Sequence, residues 1–340
     1  IAPERVAEVY FRGIGNQGLL RQPSLKMIRP DKTAADLRDP DAPPTRPRTA
    51  RAAKSIPSTI TITHPDRVVF GQPRITKQQV ADYYLAVMDR FLPEVIGRPV
   101  SVVRCPDGVA KGCFFQKHVT AGLKRVGRVK LKEESGNQGV YLTIEDADSV
   151  MELVQFGAIE FHPWGSTAAN PDRADRVVFD LDPGPGVAWS VVVTAARLLR
   201  RHLKALALES FLRVSGGKGL HVVVPLNPGC NWSLVKPFAR AFAETLAAAH
   251  PDDFVAVANK QRRSGKIFID YLRNGRGATS IASYSLRARS GAPVAVPIAW
   301  SELGRVTTPM PFDIAFTPKR LARQRSDPWR DIARIRQDLD

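Results

Sequence analysis

The chain has 340 residues, and its 50 Lys plus Arg exceed its 33 Asp plus Glu by 17. With 44% hydrophobic residues it can bury a core, which excludes wholesale disorder, and no apolar run approaches the ~20 residues needed to cross a bilayer. The surplus of basic groups points to a polyanionic partner, because Lys and Arg neutralise phosphates and release their counterions, though charge alone does not identify that partner. Cys105, Cys113 and Cys230 are too few and too scattered for a disulfide framework, and no Cys-x-x-Cys pair offers half a zinc site. A reducing, cytoplasmic home is therefore expected.

The sequence starts at Ile1 and has no methionine before Met27, so it reads as a piece of something longer with no secretory signal at its front. Alternation in Val6 to Phe11 predicts a strand too short to make a domain alone. Residues 38 to 57 combine prolines and arginines with almost no large apolar residue, the composition of a solvated linker. Thr76 is placed to cap a helix running through Val80, Tyr83, Tyr84, Val87 and Met88, and strands follow at about 99 to 104 and 112 to 117. Arg176 to Asp182 is the clearest buried strand; it stops at Pro183-Gly184-Pro185-Gly186, and a helix with apolar Val191, Val192, Ala195, Leu198 and Leu199 comes next. Phe211 to Val214 and Leu220 to Val224 read as strands joined by Ser215-Gly216-Gly217-Lys218-Gly219, Trp232 to Ala249 as a helix, and Lys266 to Tyr271 as the last strong strand. This is an α/β or α+β pattern.

Asp180 and Asp182 lie two apart at the end of a hydrophobic strand, so the pleat points both carboxylates to one side and Leu181 to the other. Hard oxygen ligands in such a pair suit Mg²⁺ or Mn²⁺; taken alone, two solvated loop acids explain an Asp-Leu-Asp as well. Asp270 sits in an apolar run, where an acid costs several kcal/mol unless it is paired or metal-bound, and Arg263 or Arg273 is a candidate neutraliser beside a metal. Three strand-borne acids together favour the metal.

The segment Ser215 to His221 lacks P-loop spacing, yet its glycines can turn backbone N–H groups to phosphate, with Ser215, Lys218 and His221 supplying a hydroxyl and two cationic donors. A plain hairpin turn is the alternative. His162 ends another strand and is either a core histidine satisfied by a carbonyl or a ligand contact. Phe114 and Phe115 beside Lys117 can form a stacking platform next to a phosphate contact, although strand neighbours face opposite ways and one ring is expected in the core. Arg287 and Arg289 alternate along Tyr284 to Arg289, which on a strand places both on one face, toward anions or simply toward water.

The segments DLDPGPG, SGGKGLHV, KIFIDYLRNGRGATSIASYSLRARSGAPVAVP, THPDRVVF and ITKQQVADYY closely resemble the polymerase domain of bacterial ATP-dependent DNA ligase D, in the archaeo-eukaryotic primase superfamily, over about 58 to 335. The resemblance implies an α+β primase-polymerase core of mixed and antiparallel sheets flanked by helices, in a domain of residues 58 to 340. It further implies a template-dependent nucleotidyltransferase that fills gaps and extends ends in non-homologous end joining, using NTP or dNTP and two Mn²⁺ or Mg²⁺ ions. Carried over residue by residue, Asp180, Asp182 and Asp270 hold metal, and Arg263 is a loop arginine that organises the active site. Ser215, Lys218 and His221 fall in the triphosphate motif, Arg287 contacts phosphate, and His162 lies near the incoming sugar. Arg67 and Lys77 match positions that hold the 5′-phosphate of a downstream strand, and Phe114 and Phe115 the aromatic pair at the templating base. Arg67 departs from an expected lysine, and Cys105 replaces a common aromatic residue. By the same resemblance the partners are gapped or broken DNA, the ligase module of the parent chain and the Ku end-binding protein.

Residues 5 to 37 look like the tail of a ligase OB domain, so 1 to 37 is read as its remnant, 38 to 57 as linker, and the parent as ligase first, polymerase second. No Lys-x-Asp-Gly adenylation motif and no histidine-rich block like the family's phosphoesterase occur, so these residues are not expected to seal nicks. An Asp-x-Asp phosphatase or sugar transferase fits less well, because Pro183-Gly184 lacks the downstream hydroxyl and neither chemistry needs so basic a chain. The third possibility is a catalytically silent module that bridges DNA ends.

Overall fold

The computed structural model describes residues 6–10, 24–29, 56–133 and 136–339. The chain divides at Arg51/Ala52 into two units. In the first, β1 (Val6–Tyr10) pairs antiparallel with β2 (Ser24–Arg29), with a register shift between Glu8 and Val9. Residues 30–55, which hold most of the expected linker, lie outside the described residues, as does much of the OB-like stretch.

The second unit opens with the short antiparallel pair β3 (Val68–Phe70) and β4 (Ile75–Thr76), which leads into α1 (Lys77–Val95). Thr76 accepts from the Gln79 backbone N–H while the Gln79 side chain accepts from the Thr76 N–H, a reciprocal cap that fixes where α1 begins. Its buried stripe of Val80, Tyr84, Val87, Met88 and Phe91 follows helical spacing, as the sequence predicts.

A five-stranded sheet follows from β5 (Pro99–Arg104), β6 (Phe114–Gln116), β7 (Gly127–Lys132), β8 (Gln138–Thr143) and β9 (Ala158–Pro163), with α2 (Ala147–Gln155) before β9. Its order is β6-β5-β8-β7, and β9 pairs with β5. Cys105 and Cys113, read from the sequence as too few and too scattered for a disulfide framework, instead form a disulfide. The β5–β6 register explains it: Val103 faces Phe115 and Arg104 faces Phe114, so the next opposed pair along the same ladder is Cys105 and Cys113. Spacing in the sequence alone does not reveal that pairing.

The six-stranded sheet carries the predicted acids. It is built from β10 (Arg173–Pro183), β11 (Phe211–Val214), β12 (Leu220–Asn231), β13 (Phe254–Val255), β14 (Ile267–Asp270) and β15 (Val296–Ile298), in the order β13-β14-β10-β12-β11-β15. All pairs are antiparallel except β13 with β14, which makes the sheet mixed. Against it lie α3 (Trp189–Ala205) and α4 (Trp232–Ala249), while α5 (Phe316–Arg323) is a short helix near the end. The α+β class with helix-flanked mixed and antiparallel sheets is therefore as expected. Along β10 the pleat sends Phe179 onto Phe242 of α4, ring centroids 4.9 Å apart, and turns Asp180 and Asp182 to the opposite face.

Residues 284 to 289, expected as a strand, form no ladder. Only an isolated bridge joins Leu286 to Val294, and Tyr284 takes a positive φ of 65°, which breaks the extended run.

Candidate active site

Four strands place four polar side chains in one row. Asp270 on β14 faces Asp180 on β10, Asp180 faces His221 on β12, and His221 faces Arg213 on β11. Directly opposed residues share a sheet face, so the row lies on the side away from α4. Asp182, two residues along β10, joins the same face.

Arginines neutralise the acids. Arg273 spans two of them, with Nε 3.3 Å from Asp270 Oδ2 and Nη2 3.4 Å from Asp180 Oδ2, and Arg263 Nη1 lies 3.0 Å from Asp182 Oδ2. The Arg263 guanidinium also sits over the Phe268 ring, 4.0 Å from its centroid. Burial raises Asp182, with the Asp180 charge adding to it against Arg263 and Lys218; burial raises Asp270 in the same way against Arg273. Asp180 differs: burial alone would push its carboxyl up, but His221, Arg273 and Arg287 bring it down to about 2.

Among the described residues, no group of three or more His, Cys, Asp or Glu side chains is gathered as it stands around an ion-sized space. The donor set nonetheless fits a hard divalent cation. Three carboxylates share one face, two of them are raised by burial with the Asp180 charge adding to it, and half-exposed Arg273 occupies the space between Asp180 and Asp270.

A cleft of about 290 Å³ opens beside the row and is lined by His162, Asp180, Asp182, Ser215, Lys218, His221, Arg273, Arg287 and Arg289. Seven sequence-predicted residues thus meet in one place. The hairpin from Ser215 to Gly219 is tighter than a free phosphate cradle: Ser215 Oγ donates to the Gly219 carbonyl at 2.8 Å and accepts from Gly217 N–H at 3.3 Å. Gly219 has to be glycine, since a Cβ there would lie 1.9 Å from the Leu181 carbonyl oxygen. Lys218 alone of this turn is exposed, and its charge reaches Asp182.

His221, expected as a cationic donor, is instead only 3% exposed, and burial lowers its pKa to about 4 despite the pull of Asp180. His162 is also brought down by burial against the pull of Glu160. Glu160 Oε2 lies 2.9 Å from His162 Nε2 and 3.2 Å from Arg287 Nε, and its Oε1 accepts from Ala288 N–H at 2.8 Å. Burial works against this carboxylate, yet His162 and Arg287 hold its pKa down to about 2. Arg287 Nη1 in turn donates to the Ser215 carbonyl at 3.1 Å, tying the segment to the hairpin.

Both rings of the aromatic pair are exposed, Phe114 at 49% and Phe115 at 55%, whereas one was expected in the core. β6 pairs with β5 alone, and of its three residues only Gln116 is buried. Phe115 meets the His162 ring edge-on at 5.7 Å, and Phe114 lies under the Arg104 guanidinium. Lys117 is paired, 3.0 Å from Glu133 Oε1, and lines with Phe115 a second groove of about 430 Å³.

Arg67 and Lys77 share a separate pocket of about 190 Å³. Lys77 Nζ donates to Gln155 Oε1 at 2.7 Å and to the Thr63 carbonyl at 3.0 Å, and Arg67 Nη1 to the Pro106 carbonyl at 3.0 Å. Burial, helped by Arg67, lowers Lys77 to about 8.

The sequence reading missed Glu160 and Arg213. Each had a visible signal, a charge inside an otherwise apolar strand: Glu160 in Ala158-Ile159-Glu160-Phe161 and Arg213 in Phe211-Leu212-Arg213-Val214.

Compared with known proteins, residues 76–329 match the family described as LigD, primase-polymerase domain. The chain belongs to that family. It is 38% identical over its whole length to the multifunctional non-homologous end joining protein LigD of Pseudomonas aeruginosa, of which it covers 41%. Against the protein of the same name from Mycolicibacterium smegmatis, identity is 34% over 72% of this chain and 32% of the relative. The chain thus spans less than half of these relatives. Among solved structures, the polymerase domain from Mycobacterium tuberculosis ligase D in complex with DNA superposes with a TM-score of 0.76 at 31% identity, covering 82% of this chain and 99% of that one. Membership brings metal-dependent nucleotidyl transfer as the family's chemistry.

Proposed function

We propose that this chain is a template-dependent polymerase that fills gaps and extends ends in bacterial non-homologous end joining, acting in the cytoplasm on nucleoid DNA. The observation that carries the reading is the cross-strand facing of Asp180 and Asp270, with Asp180 and Asp182 lining a cleft also lined by Lys218, Arg287 and Arg289. Asp180, Asp182 and Asp270 would hold two Mn²⁺ or Mg²⁺ ions, which supply activation of a primer 3′-hydroxyl and neutralisation of the charge that develops on the transferring phosphoryl group.

The chain's own residues do the rest. Lys218, Arg287 and Arg289 bind the triphosphate of an NTP or dNTP; Glu160 orients Arg287 and His162 toward it. Lys218 stands exposed at the tip of the glycine hairpin, and Phe115 offers a face to the base at the templating position. Arg273 and Arg263 pair the acids in the absence of cation, and Arg263 keeps the loop it sits on against Phe268. Lys77 and Arg67 take the 5′-phosphate of the downstream strand in their own pocket. Lys117, Phe114 and Phe115 border the DNA path. In the parent protein the polymerase would follow an OB-type ligase module, residues 1 to 37 being its end and 38 to 57 the connection, and would work with Ku at DNA ends.

A second reading, end bridging without catalysis, draws on the ion pairs of Arg273 with Asp180 and Asp270. Labelled primer extension on a gapped, 5′-phosphorylated template, with NTPs or dNTPs in Mg²⁺ or Mn²⁺, decides between them. Templated incorporation that a chelator abolishes is the expected result. Tight DNA binding with no incorporation under any of these conditions leaves only the bridging module.

A further inference from the structure

The polar row does not stop at the acids. Its inner end is Arg213, 2% exposed, whose Nη2 lies 3.0 Å from His221 Nδ1. A guanidinium carries only N–H groups, so it cannot accept here; Nδ1 must therefore be the acceptor. On a neutral imidazole the single proton then belongs to Nε2, and Nε2 is the atom that faces Asp180 Oδ2, at 3.5 Å.

Arg213 is itself held from behind. Its Nη1 lies 3.4 Å from Glu94 Oε2 on α1 and 3.3 Å from Ser283 Oγ, Ser283 Oγ donates to the same Glu94 oxygen at 3.1 Å, and the guanidinium packs over the Trp329 ring. The Glu94 carboxylate stays charged there, because Arg176, Arg213 and Arg98 outweigh the burial that would raise it. An apolar side chain would fill the Arg213 position without the cost of desolvating a guanidinium. What an apolar residue would not do is choose the tautomer of His221.

We propose that Arg213 is a positioning residue of the catalytic centre: fixed by Glu94 and Ser283, it locks His221 as the Nε2–H tautomer and through that N–H orients the Asp180 carboxylate. The inference rests on the polymerase reading and adds residues that touch neither metal nor nucleotide. Outer partners of this kind act by fixing a ring and the carboxylate it holds, and their loss costs about 10- to 100-fold in metal affinity or activity.

The test begins without substrate. In wild-type protein labelled with ¹⁵N-histidine, free of metal and at neutral pH, the His221 ring, assigned by the signal lost in His221→Gln, is expected to carry its proton on Nε2 with Nδ1 bare. Arg213→Met is expected to give a mixture of tautomers. Its primer-extension turnover at saturating nucleotide should fall about 10- to 100-fold, with the nucleotide KM and the DNA Kd within about twofold of wild type. Arg213→Lys, which keeps a donor, should recover part of that rate. A proton on Nδ1 in the wild type, or a folded Arg213→Met protein with wild-type turnover, overturns the proposal. Should Arg213→Met not fold, Glu94→Gln is expected to loosen the tautomer preference and lower turnover in the same direction, and the wild-type spectrum still decides. Absence of extension by the wild-type protein would instead count against the polymerase reading and leave the tautomer result to stand by itself.

Discussion

Asp180 and Asp270 face one another across two paired strands, so each carboxylate sets the charge of the other, and Arg273 answers both. Replacing Asp270 by Asn keeps the shape but removes one of the proposed cation ligands. Incorporation should fall by about 100-fold or more, because the acids act on the reaction. DNA affinity measured by fluorescence anisotropy should hold within about twofold, since exposed cations carry binding; full activity in this variant would remove Asp270 from the site. Glu160 gives a second, independent handle. Its carboxyl is held near 2 against an ordinary 4.5, so its contribution to stability is fully present above 4.5 and is lost as the pH falls from there through 2. Urea melts at about pH 6 and about pH 3.5 should therefore show a smaller acid-induced drop in Glu160→Gln than in wild type, by about 1 kcal/mol. Lys77 titrates in the other direction. Depressed to about 8, it is charged below that value and neutral above it, so preference for a 5′-phosphorylated end should fade as pH rises past 8. Lys77→Arg should flatten that profile, and Lys77→Ala should erase the preference at every pH.

The same lysine is the first residue of α1, directly after Thr76, so the helix cap and the phosphate pocket are one construction. Thr76→Ala removes the acceptor for the Gln79 N–H and should cost about 1 kcal/mol in a urea melt, with a parallel loss of 5′-phosphate preference if the cap positions Lys77. This start was legible because capping and periodicity are local: a threonine, a glutamine three residues on, and apolar residues at helical spacing. β11, with its ends at Phe211 and Val214, and α4, from Trp232 to Ala249, were legible for the same reason. The sequence concealed whatever depends on which strand meets which. Three acids could be named in advance, but the register that opposes Asp180 to Asp270 and His221 to Arg213 is a property of the sheet. So is the opposition of Cys105 and Cys113 at the end of β5 and β6. Alternation misled at Tyr284 to Arg289, where one residue with φ of 65° turns the chain out of the ladder while still delivering Arg287 and Arg289 to the cleft.

Over the whole molecule, an excess of 17 positive charges is far more than a single triphosphate needs, and the basic side chains fall into distinct places. Arg273, Arg263 and Arg213 are engaged with acids or with His221, and Lys117 with Glu133, so they are not free to release counterions from DNA. Lys77 and Arg67 spend their hydrogen bonds on neutral oxygens of Thr63, Gln155 and Pro106, which leaves both charges for a phosphate. Net charge therefore overstates the number of phosphates neutralised, and individual residues should separate in a salt titration. Each phosphate neutralised on duplex DNA contributes about −0.9 to the slope of log affinity against log salt. Arg67→Ala and Lys77→Ala together should therefore make the slope on a 5′-phosphorylated gap shallower by about 0.9 to 1.8, whereas Lys117→Ala should change it little. Equal slopes for all three proteins would mean that the downstream end is held somewhere other than the Arg67–Lys77 pocket.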